Sequence, residues 1–138
     1  MLRTIRLYQG LALLSLSFVS SAAIAQEACV SLDTGITLPR VQDYAPLIAD
    51  AAGTTPEAVE FISFAESDDW SMVYAATPVA DPGFFFFESV DGGREFKDVW
   101  GGIASVSERD EQVAWAEALG APADLAACFA DQTAVIDE

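Results

Sequence analysis

Histidine is missing from all 138 residues. Its absence removes the side chain that titrates nearest neutral pH, and with it the Ser-His-Asp and Cys-His arrangements and the commonest nitrogen ligand for zinc. Cations are nearly as scarce, since six Lys and Arg stand against 22 Asp and Glu for a net charge of −16. A field of that sign repels phosphate backbones and anionic headgroups, so nucleic acid and membrane surfaces are disfavoured as partners. Two cysteines, Cys29 and Cys128, are all there are; with no Cys-x-x-Cys pair, a dithiol redox centre has no support. The chain also lacks a phosphate-binding glycine loop, a Gly-x-Ser-x-Gly elbow and a Ser-x-x-Lys motif. No catalytic residue, metal ligand set or cofactor is expected from what remains.

The first residues carry a different message. Arg3 and Arg6 precede an apolar stretch from Leu11 to Val19, and the small residues Ala23 and Ala25 close it. A basic flank, a short apolar segment and small residues, in that order, make a cleavable secretory signal. The nine residues Leu11–Val19 fall well short of the roughly 20 that a bilayer-spanning helix needs. The expectation is therefore a signal peptide over residues 1–25, cleavage before Gln26, and a periplasmic or secreted protein. Arg3 and Arg6 are not adjacent, so a twin-arginine route for a prefolded protein is not indicated. Residues 26–138 then form one small acidic domain in which four cations face 22 acids, a net charge of −18. In an oxidising compartment the two cysteines pair by default. Closing a loop of about 100 residues stabilises a domain by on the order of 4 to 5 kcal/mol in the chain-entropy picture.

The mature chain begins irregularly. Asp43 can cap a helix with Tyr44, Leu47, Ile48 and Ala51 on one face, and Gly53 stops it. Strands are expected from about Ala58 to Glu66 and from Trp70 to Thr77, joined by a turn at Ser67, Asp68 and Asp69. Asp81, Pro82 and Gly83 break the chain before a third strand at Phe84. Phe84, Phe85, Phe86 and Phe87 point alternately to opposite faces of an extended strand, which demands apolar cover on both sides and a central position. A hairpin at Asp91-Gly92-Gly93 leads to a fourth strand, Glu95 to Trp100. A helix then opens at Ser107 and closes at Gly120, and another runs from Pro122 to about Ala130, with the tail from Gln132 fraying. The fold class expected is α+β: a four-stranded antiparallel meander packed with one N-terminal and two C-terminal helices.

Two functional readings follow. Aromatic residues crowd the sheet, and either the first and last helices divide its two faces between them, or one face is left open to a partner. The second alternative makes a non-catalytic binding or accessory domain that engages a cationic protein or a small ligand through Trp70, Tyr74 and Trp100, with Asp68 and Asp69 on an acidic rim. The competing reading uses Glu66 with Asp68 or Asp69 as the acid and base of a small hydrolase or lyase. The same turn lacks the alternating Asp-x-Asp-x-Asp-Gly frame of a calcium loop. A structural envelope component needs no site at all.

Overall fold

The computed structural model describes residues 27–102 and 104–134; the expected signal peptide over 1–25 and the end of the expected fraying tail, residues 135–138, lie outside them. Among the described residues, four α-helices and four strands alternate in blocks. Helix α1 spans Glu27–Val30 and α2 spans Leu38–Ala52; strands β1 (Glu60–Ser67), β2 (Trp70–Thr77), β3 (Ala80–Val90) and β4 (Gly93–Gly101) follow; α3 (Arg109–Leu119) and α4 (Ala123–Ala134) end the described chain. The sheet is an antiparallel meander of order β1-β2-β3-β4. The expected α+β architecture is thus the observed one.

Several boundaries move, each for a local reason. Helix α2 starts at Leu38 and not after Asp43, because Thr37 is its N-cap, its hydroxyl accepting from the Arg40 N–H, and Pro39 falls in the first turn where a missing N–H costs nothing. Strand β3 runs through Pro82 and Gly83 instead of starting after them. The register beside them shifts between Ala75 and Thr77, and a bulge is one of the few places where a strand tolerates proline. Helix α3 starts at Arg109 and is entered through a 3-10 turn over Val106–Glu108 that is capped at Ser105, not Ser107: the Ser105 N–H and hydroxyl both donate to the Glu108 carboxylate, at 2.7 and 3.0 Å. These donors hold the Glu108 pKa below its ordinary value, the backbone bond most strongly. Helix α4 continues to Ala134 where a fraying tail was expected from Gln132, because Thr133 is buried and donates to Gln112 on α3, and Gln132 meets Ser63 on β1. The irregular start becomes α1, held to α4 by the Cys29–Cys128 disulfide, whose Cα atoms are 4.7 Å apart.

The phenylalanine run settles the packing. Phe84 and Phe86 face α3 and α4, where they join Trp70, Met72, Leu125 and Phe129 in one core. Phe85 and Phe87 face the other way and join Tyr44 and Ile48 of α2, with Phe64 and Val73 of the sheet, in a second. Phe129 sits edge-on to both Phe84 and Phe86 at 5.2 Å, and Tyr44 edge-on to Phe87 at 5.1 Å, geometries that add about 0.5 to 1.5 kcal/mol per pair beyond area burial. Helix α2 on one side and helices α3 and α4 on the other therefore divide the two faces between them.

Turn chemistry fixes the hairpins. Asp91 and Gly92 both take positive φ, 52° and 79°, as a two-residue turn matched to strand twist requires. Gly120 ends α3 at φ 110°, and a Cβ placed there would stand 3.0 Å from the Trp70 ring. Gly53 ends α2 at φ 76° with open space around it. Gly120→Ala should accordingly cost about 2 to 4 kcal/mol in urea unfolding, backbone strain and crowding acting together, and Gly53→Ala about 1 to 2 kcal/mol from strain alone. Equal losses at the two positions would mean that Trp70 does not hold the α3–α4 corner.

Candidate functional site

The structure sorts the sequence-predicted residues into two separated groups. Asp68 and Asp69 form the exposed β1–β2 turn, with Asp68 at φ 51°, and Trp70 follows at the start of β2. Tyr74 and Trp100 belong to another row of the sheet, both opposite Phe84 across β2, β3 and β4. Four residues of strand separate Trp70 from Tyr74, about 13 Å at the usual rise. No single surface gathers all five.

Within each group the rings are engaged. Trp70 is only 7% exposed and sits in the core beneath α3 and α4. Lys97 lies over its ring at 5.9 Å while bonding Glu88 at 2.9 Å, and that carboxylate is the main cause of the raised Lys97 pKa. Tyr74 stacks on Phe84 at 4.3 Å with an interplanar angle of 16°, and Trp100 meets Trp115 edge-on at 5.2 Å. Both remain half-buried. A ligand contacting Trp70 directly would have to displace packed helix, whereas the Tyr74–Trp100 row keeps a partly accessible margin.

The carboxylates do not assemble into a shared pair. Glu66 turns to Arg40, 3.6 Å away, while Asp68 and Asp69 stay exposed. Among the described residues no three Cys, Asp or Glu side chains come together as a metal site. Arg40 is the organising group nearby: it donates to both carboxylate oxygens and the backbone around Asp33 and Gly35, and Asp33 in turn accepts from the Gly35 N–H. The Arg40 guanidinium, with that N–H, pulls the Asp33 pKa down to about 2, and Asp33 raises that of Arg40. This clamp fixes the segment that bridges Asp33 to Glu66 on the outer edge of β1.

Arg40 is typical of the cations. Arg94 pairs with Asp43 at 3.2 Å and lies 4.6 Å over the Tyr44 ring; Lys97 pairs with Glu88 and Glu95; Arg109 pairs with Asp131 at 2.9 Å. Every cation among the described residues is thus held in an ion pair. Glu27, Asp50, Glu57, Glu60, Asp68 and Asp69 are exposed and have no such partner there. A feature that sequence reasoning missed lies at the β1 edge. A groove of about 390 Å³ opens between α1 with the segment after it, which supplies Val30 and Ile36, and strand β1, which supplies Ile62 and Ser63, with Gln132 of α4 also lining it. Its signal in the sequence was weak, because isolated exposed aliphatic residues are common on any surface.

Comparison with known proteins adds no relative: no family model matches the chain, and no curated protein or solved structure is significantly similar to it. The acidic clamp itself is open to measurement. Asp33 contributes stability that is present above its unfolded value near 3.8 and lost as the pH falls through about 2. In a carboxylate NMR titration Asp33 should titrate near the low end of that window, and Arg40→Gln should move it back toward 3.8. A wild-type Asp33 titrating at its ordinary value would disprove the clamp.

Proposed function

We infer that this chain is an exported, non-catalytic binding or accessory domain that captures a cationic protein partner through its acidic surface. The supporting observation is the asymmetry of the charges: each described cation is tied into the fold, and the exposed, unpaired charges are acids. Such a surface raises the local concentration of basic partners and speeds their encounter, while among the described residues anionic ligands find no guanidinium or ammonium outside an ion pair to hold them. The separated, helix-covered aromatic residues support a framework role for Trp70, with the Tyr74–Trp100 margin as the aromatic part of the sheet available to a partner.

Export is part of the proposal. It is supported by the order of parts in residues 1–25 and by a disulfide joining positions 99 residues apart, a bond that persists in oxidising compartments. No helix among the described residues is long and apolar enough to cross a membrane. Mass spectrometry of the exported protein should find Gln26 as its first residue and the two thiols oxidised; a retained leader with alkylatable cysteines would refute export. Photo-crosslinking in an extract of the oxidising compartment should capture basic proteins, with a yield that falls several-fold between about 50 mM and 0.5 M salt as screening shortens the reach of the surface field. Capture of neutral or acidic proteins alone, or capture indifferent to salt, would reject the acidic-surface reading.

A further inference from the structure

Val30, Ile36 and Ile62 are 80%, 47% and 46% exposed. All three line the groove at the β1 edge. Neither core cluster includes them, so their burial contributes little to folding, and a group of aliphatic side chains held open to water favours contact with something else. The walls that carry them are fixed by independent means. The disulfide anchors α1 to α4, and the Arg40–Asp33 pair with the Asp33–Glu66 bridge anchors the following segment against β1. Gln132 ties the floor to both walls, its amide donating toward the two sulfurs at 3.5 and 3.6 Å and its oxygen accepting from Ser63. A groove so braced is preformed, and its volume is within the range of binding clefts.

The rim is acidic. Glu27 stands two residues before Cys29 on α1, and Glu60 two residues before Ile62 on β1; both are exposed and neither has an ion-pair partner among the described residues. We propose that this groove docks an extended cationic segment of a partner protein, whose apolar side chains fill the space between Ile36 and Ile62 while lysines or arginines meet Glu27 and Glu60. The proposal rests on the acidic-capture reading and adds the place and the shape of what is captured. An extended chain suits the groove because one wall is consecutive sheet-edge residues, 62–64 of β1, and a segment lying along an edge presents alternate side chains to one wall. A second copy of the chain is disfavoured as occupant, since each carries a net charge of −16 or more negative and like fields repel.

The test is methyl NMR of the purified exported protein with three blocked peptides, Lys-Val-Lys-Val-Lys, pentalysine and Glu-Val-Glu-Val-Glu. The mixed basic peptide should shift the methyls of Val30, Ile36 and Ile62, bind at least tenfold more tightly than either control, and weaken at least tenfold in Ile62→Glu. Val106→Glu, at an exposed position away from the groove, should leave that affinity unchanged. Should Ile62→Glu disturb the fold, Ile36→Glu repeats the measurement from the opposite wall. Shifts confined to another surface, or an affinity untouched by both groove variants, overturn the groove. Pentalysine binding as tightly as the mixed peptide also overturns it while sparing the acidic-capture reading, which falls instead if no basic peptide binds and no basic protein is crosslinked. Sedimentation showing a dimer that Ile62→Glu dissociates would give the groove to a second copy and reject the proposal.

Discussion

Side chains on an extended strand alternate between two faces, so four phenylalanines in a row cannot share one core. Phe84 and Phe86 need carbon on one side of β3, and Phe85 and Phe87 need it on the other. This requirement makes β3 an interior strand with β2 and β4 beside it, and it calls helices to both sides of the sheet. Helix α2 answers on one face; α3 and α4 answer on the other. The placement of every candidate functional residue follows, because a sheet covered twice leaves its margins and edges, and not its broad faces, for contact with other molecules.

The few cations are spent at the joints between these layers. Arg40 fastens the segment after α1 to the edge of the sheet, Arg94 links β4 to α2, Lys97 joins β3 and β4 beneath Trp70, and Arg109 links α3 to α4. Half-exposed pairs of this kind are individually weak, commonly 0 to 1 kcal/mol. Their effect on the surface is greater than their effect on stability, since each leaves the surrounding acids uncompensated. One small set of arginines and a lysine thereby decides both how the layers meet and what sign the outside presents.

The sheet and its order were legible because alternation and turn residues are local signals: Asp91-Gly92 announces its hairpin, and the phenylalanine run announces a central strand, while the choice between helices on both faces and one face left open was settled only by the packing. Helix ends were less legible. Ser107 looked like the cap of α3, but Ser105 has Glu108 at the spacing that lets its N–H and hydroxyl reach one carboxylate. The end of α4 depended on Thr133 finding Gln112, a contact 21 residues away that no local pattern encodes. The candidate residues show the same divide. Trp70 was recognisable as an aromatic on a strand, but whether its ring met solvent or Gly120 was decided by the return of the chain after α3. The groove was least legible, because Val30, Ile36 and Ile62 come from three segments that only the disulfide and the Arg40 clamp bring together.

The disulfide also imposes an order of events. Cys29 precedes the whole sheet and Cys128 follows it, 99 positions later in the chain. In a chain delivered from its N-terminus, the first thiol has no intramolecular partner until α4 arrives, by which time the whole meander is available to fold. The covalent bond therefore requires completion: it can close only once all four strands and α4 have been delivered, and a molecule truncated before α4 is left with a single unpaired thiol.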